Sequence, residues 1–199
     1  FVIAYLLATG TGDSTLVTAL DGLFHVVSIM TSTGFTTTDF SAWPGSLPVL
    51  LVFLMFIGGC GGSTAGGMKV IRWLLLYRQG VREVVRLVHP AAEIPVRLGD
   101  AVVPQRVVDA VWGFFAIYVT LFGAMMLILL GTGVDQVTAF SAIATCLNNV
   151  GPGLGFAGPM GSYAAFSDGS KLLMCALMWA GRLELIPIMV LLTRAYWRR

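Results

Sequence analysis

"LPVLLVFLMFIGGCGGSTAGGMKVIRWLLLYR", Leu47 to Arg78, is an apolar run interrupted in its middle by six glycines, a serine and a threonine. A glycine-rich loop ending in lysine first suggests phosphate binding. That pattern places Lys directly after the second glycine of G-x-x-x-x-G, where it reaches the β/γ-phosphates. Counting from Gly62, the second glycine is Gly67, Met68 follows it, and Lys69 comes one residue late. The loop also lies inside a spanning-helix candidate. A helix break at membrane depth is tolerated only where the backbone lines a cavity or is buried in protein, so the glycines mark an internal path and not a nucleotide site.

Composition agrees with a membrane setting. The 199 residues are 57% hydrophobic and 11% charged, with net charge +2, whereas soluble domains carry roughly 25% charged residues. Such a small net charge gives no basis for nucleic-acid binding. Cys60, Cys146 and Cys175 fit neither a disulfide framework nor a metal site and read as small buried side chains. No Ser/His/Asp or Cys/His set and no paired carboxylates are legible, so no enzyme is expected. His25 reads as a packed or capping group and His89 as a surface residue.

The opening run "FVIAYLLATG" covers about half the length of a spanning helix and lacks signal-peptide features; it reads as a helix truncated at its front. "STLVTALDGLFHVVSIM" follows, with Ser14 as a candidate N-cap. It is too short to cross a bilayer and is expected to be a re-entrant helix over about residues 14–30. A hydroxyl-rich turn at 31–35 and a glycine-broken helix at 47–77 complete a unit, followed by a polar linker at 78–104. The order then recurs from residue 105: a spanning helix, a short helix at about 135–147, a turn at 148–152, and a last helix at about 170–197. The expected fold is thus an all-α membrane protein of two parallel helix–pore-helix–helix repeats.

Arg72, Arg78, Arg82, Arg86, Arg97, Arg106, Arg194, Arg198 and Arg199 cluster on one side, which the positive-inside rule makes cytoplasmic, C-terminus included. Asp13, Asp21, Asp39, Asp135 and Asp168 fall on the other side; they read either as an acidic outer mouth that concentrates cations or as ordinary solvated loop charges. A re-entrant helix entering from outside points its negative C-terminal end toward the membrane centre. The turn after it must give its carbonyls a partner there, and a dehydrated monovalent cation suits both. Gly34 and Gly151 lie at the required bends. Arg182 lies deep in the last helix, where an arginine costs from about 2.5 to over 10 kcal/mol. It reads either as facing a water-filled path beside the glycine loop or as a satisfied ion pair or snorkelling side chain; Glu184 lies on another face.

"STGFTT", "FIGGCGGSTAGGMKVIR", "ATCLNNVGPGLG" and "GRLE", in that order over the whole chain, strongly resemble the Trk/Ktr/HKT superfamily of potassium transporters, most closely its bacterial TrkH-type members. The resemblance implies the third and fourth of four repeats, half of a pseudo-fourfold pore resembling a potassium channel, in the bacterial cytoplasmic membrane. It implies a potassium filter at Ser32, Thr33, Gly34, Asn149, Val150 and Gly151. It also implies a gate made by Gly58, Gly59, Gly61, Gly62, Ser63, Thr64, Gly66 and Gly67 with Arg182. Potassium is then the transported ion, with no covalent cofactor. Expected partners are membrane lipid, a second copy of the protein, and a cytosolic nucleotide-binding subunit of TrkA type that docks on the arginine-rich side. The alternatives are a non-conducting membrane subunit or scaffold, a less selective Na+/K+ transporter, and, less in keeping with the small loop side chains, a solute symporter. Flux that is channel-like and flux coupled to protons or sodium both fit this sequence.

Overall fold

The computed structural model describes residues 1–10, 14–63, 65–90, 92, 94–183, 187, 190 and 194–197. Asp13, Thr64, Glu184, Arg198 and Arg199 lie outside the described residues. Helix α1 spans Val2–Thr9 and closes on Gly10 at φ 64. Helix α2 spans Thr15–Met30; its first turn is capped by Ser14, whose Oγ accepts the Val17 N–H at 3.3 Å.

Helix α3, Leu47–Ile57, carries Pro48 in its first turn, where a missing N–H deprives no bond. It stops at Gly58, φ 67, and the chain re-enters a helix, α4, at Val70–Val88. The two pieces are stitched across the break: Val70 N–H donates to Gly59 O at 3.1 Å and Trp73 Nε1–H to Phe56 O at 2.9 Å. Both bonds occupy groups that helix ends otherwise leave without partners.

Helix α4 runs past residue 77 to Val88, through about the first two fifths of what the sequence suggested was a linker. Gln79 donates to Glu83 at 2.8 Å and Arg86 pairs with Glu83 at 3.2 Å; side-chain pairs three and four residues apart favour continued helix. Beyond it, β1 (Arg97–Leu98) and β2 (Ala101–Val102) form a small antiparallel hairpin, which the sequence did not suggest. Arg78 ties α4 to that hairpin through Arg97 O at 2.6 Å.

Helix α5, Gln105–Leu130, has 26 residues and a window of mean hydropathy 2.3, long and apolar enough to cross a membrane. Helix α6 spans Gln136–Asn148 and is capped by Asp135, whose carboxylate accepts the Thr138 N–H at 3.0 Å. Helix α7 spans Asp168–Arg182, capped by Ser167, and a helical turn lies at Arg194–Trp197; the expected single helix to 197 is described only over these two pieces.

The short helix α6 is the centre of the fold. All of its residues from Thr138 to Asn148 are buried except Phe140, which is partly buried. One side packs on Phe114, Tyr118, Met174 and Leu177 of α5 and α7. On the other side Ala144, with Val150 and Leu154, joins Ile29, Phe40, Leu51, Val52 and Met55 from the first half of the chain. This second cluster brings the two halves together at the turns that follow α2 and α6.

Candidate functional site

Both short helices lead into their turns in the same way. Ser32 after α2 and Asn149 after α6 are left-handed, at φ 56 and 55. Thr33 N–H returns to Ser28 O at 2.8 Å, and Val150 N–H returns to Thr145 O at 3.0 Å. Gly34 N–H also reaches Ser28 O, at 3.3 Å, while Gly151 N–H reaches Thr145 Oγ1 at 2.7 Å. In a trans peptide the carbonyl of one residue points opposite the N–H of the next. The carbonyls of Ser32, Thr33, Asn149 and Val150 therefore point away from their own helices.

The C-terminal ends of α2 and α6, with their partial negative charge, sit behind these carbonyls. Gly34, φ 77, faces Val150 directly: a Cβ there would lie 1.8 Å from Val150 O. Gly151 has φ 116 and open space within this chain. The structure thus brings Gly34 and Val150 together and leaves Gly151 on an open side.

Tyr163, which had no role in the sequence reading, and His25, which read as a packed or capping group, support these strands. Tyr163, in a loop turn, donates its hydroxyl to Gly151 O at 2.8 Å. Burial, reinforced by Cys146, pushes its phenol far above the usual range, so it remains a donor. Buried His25 places its ring nitrogens 2.8 Å from Asp21 O and 3.2 Å from Thr38 O, among Phe24, Phe40 and Trp43. It packs the segment after Gly34 onto α2, as a bridging group would.

The glycine loop folds around a cation of its own. Lys69 is buried, and its ammonium donates to the carbonyls of Ser63, at 2.6 Å, and Ala65. Gly58 allows the Gly66 carbonyl close approach, 2.9 Å from where a Cβ would stand. Gly59, Gly61, Gly62 and Ser63 form the outer part of the loop, and Gly61 and Gly62 are exposed. Thr64 lies outside the described residues.

Gly66 and Gly67 press on the end of α6. A Cβ on Gly66 would meet Asn148 O at 2.3 Å and Asn149 Cβ at 3.0 Å; one on Gly67 would meet Asn148 Oδ1 at 2.8 Å. From α7, Gly181 packs on the same place: a Cβ there would lie 2.0 Å from Leu147 O and 2.8 Å from Asn149 Nδ2. Arg182 follows as the exposed last residue of α7. Loop and α7 therefore meet at Asn148 and Asn149, and the Lys69 ammonium, to which the sequence reading gave no role in the loop, donates to the loop's carbonyls.

A helix long and apolar enough to span a membrane, a helix broken by a glycine loop, and two short helices ending at facing turns define an all-α membrane fold. The chain belongs to the TrkH family of cation transport proteins, whose description matches residues 14–198. It is 53% identical over 176 residues to the Trk system potassium uptake protein TrkH of Vibrio parahaemolyticus, covering 88% of this chain and 36% of the relative. It is 46% identical over 186 residues to TrkH of Escherichia coli K12, covering 94% and 38%. The crystal structure of the potassium transporter TrkH from Vibrio parahaemolyticus superposes with TM-score 0.90 at 49% identity, over 99% of this chain and 42% of that one. The chain thus spans well under half the length of these relatives, which are named as transporters and not enzymes.

Proposed function

We propose that this chain is the third and fourth quarters of a potassium uptake pore in the bacterial inner membrane. The observation that carries the reading is the facing pair of strands, Ser32–Gly34 and Asn149–Gly151, whose inward N–H bonds turn four carbonyls away from the helices behind them. Such carbonyls can replace an ion's hydration shell, and potassium is the ion named for the relatives. The broken-helix loop Gly58–Gly67 acts as the gate beneath them. Arg182 contributes positive charge at its margin. The same reading makes the protein multi-pass with its C-terminus cytoplasmic, paired with a second copy, and regulated by a cytosolic nucleotide-binding subunit on the arginine-rich side.

The test is potassium-limited growth and rubidium uptake in a transport-deficient bacterial host carrying the full-length gene. Uptake that prefers potassium over sodium, with that preference lost in Gly34→Ser, is expected. A full-length protein that reaches the membrane and moves no potassium overturns the reading in favour of a scaffold; equal sodium and potassium uptake favours a less selective transporter.

A further inference from the structure

We propose that the buried Tyr118–Asn148 pair is a positioning device that couples the glycine loop to the fourth-repeat filter strand, so that neither moves without the other. The proposal rests on the filter and gate reading above and adds how the two communicate.

Asn148 is fully buried, and its amide has one possible orientation. Oδ1 accepts the Tyr118 hydroxyl at 2.7 Å and Nδ2 donates to Ala144 O at 2.8 Å. A flipped amide would set Oδ1 against the Ala144 carbonyl, which has no hydrogen to give. Tyr118 is itself buried on α5, and its ring meets Phe56, at 6.4 Å between centroids, near the end of α3 where the loop begins. The pair is therefore anchored to the spanning helix, to α6 and to the entry of the loop.

The loop leans on that anchored group. Gly66 approaches the Asn148 backbone oxygen and Gly67 the side-chain oxygen, each closer than any Cβ permits. One residue further on, Asn149 donates to Met178 O of α7 at 3.1 Å, and Val150 O then faces Gly34. Displacing the loop removes the surface that confines Asn148; shifting Asn148 carries Asn149 and Val150 with it. Packed interiors transmit such shifts because they have little free volume.

The test uses full-length protein in the transport-deficient host and measures rubidium flux together with rubidium-over-sodium discrimination, normalised to membrane abundance. Tyr118→Phe removes one hydroxyl without changing ring volume and leaves Asn148 Oδ1 without its donor. Both flux and discrimination should change by about fivefold or more, the low end of what an unsatisfied buried acceptor is worth. Gly66→Ala pushes on the strand from the loop side and should alter discrimination although it lies outside the filter; it carries the test if Tyr118→Phe fails to accumulate.

Wild-type discrimination in both variants overturns the coupling, as does a flux change without a discrimination change. A wild-type protein that transports no potassium overturns the functional reading instead, so the two failures are distinguishable.

Discussion

Lys69 combines two opposing contributions. Its backbone, at φ 67 and ψ 136, lies outside the left-handed helical region in a sparsely populated conformation that costs about 1–3 kcal/mol. Its ammonium donates to two loop carbonyls, and hydrogen bonds to charged groups contribute about 1.5–3 kcal/mol each. The bonds outweigh the strain, so thermal stability of the full-length protein should fall in the order wild type, Lys69→Gly, Lys69→Met, because glycine loses the ammonium but relieves the backbone. A Lys69→Gly protein melting above wild type would reverse the assignment. In the sequence, Lys69 served only to reject a phosphate loop. The rule that an intramembrane charge marks function drew attention to Arg182, while the same rule applied equally to a lysine next to a run of glycines. A second expectation concerns two glycines of similar positive φ, Gly10 at 64° and Gly34 at 77°. Alanine at Gly10 meets nothing within 4 Å, whereas at Gly34 it would overlap Val150 O. Gly10→Ala should cost about 1–2 kcal/mol for its left-handed backbone and retain uptake; Gly34→Ala should abolish uptake, both measured as rubidium flux against membrane abundance.

The broken helix was legible as an element because glycines interrupt an apolar run, but how it is mended was not. Trp73 reads from sequence as one more apolar residue of α4; only the fold shows its Nε1–H on Phe56 O. Trp73→Phe keeps an aromatic ring and removes that bond, leaving a carbonyl at the end of α3 without its partner. A loss of about 1–2 kcal/mol is expected, seen as a lower midpoint of thermal unfolding. Element ends followed caps where a capping side chain stood alone, as at Ser14 before α2. The end of α4 at Val88 was missed because its Arg, Gln and Glu residues resemble a linker until their helical pairing is seen. Helix α6 permits a pH argument. Hydrogen bonds from the Thr138 hydroxyl and amide hold the Asp135 carboxyl below the ordinary carboxylate range. A folded pKa below the unfolded one gives stabilisation that is present above the unfolded pKa and lost as pH falls through the folded one. The stability difference between wild type and Asp135→Asn, which caps without titrating, should therefore be flat at neutral pH and change only in the acid range below pH of about 4.

At the scale of the whole molecule, the two short helices differ in a way that bears on what the chain can do alone. Helix α6 is enclosed by α3, α5 and α7, whereas Leu16, Leu20, Leu23, Phe24 and Val27 leave a row of apolar side chains exposed along α2. These positions recur at helical spacing and form one face. The relatives are more than twice as long as the aligned part, so in them sequence outside that part is available to cover the matching face. On the proposed reading, a filter of carbonyls needs a ring around the ion, of which this chain would supply the two strands that meet at Gly34 and Val150. Two short helices, each leading into a glycine-containing turn, were legible because that order recurs in the sequence; the contacts among Asn148, Gly66 and Gly181 were not, since they join residues distant in the chain through backbone atoms. The chain expressed alone should reach the membrane but give no potassium-dependent growth. The full-length gene should restore growth, as should co-expression of the remainder of the protein as a separate polypeptide. Growth supported by this chain alone would mean that two copies close one pore, with the exposed faces of α2 meeting across the axis between copies. In that case Leu20→Arg on α2 should abolish growth, and a cysteine placed at Leu16 should cross-link the copies.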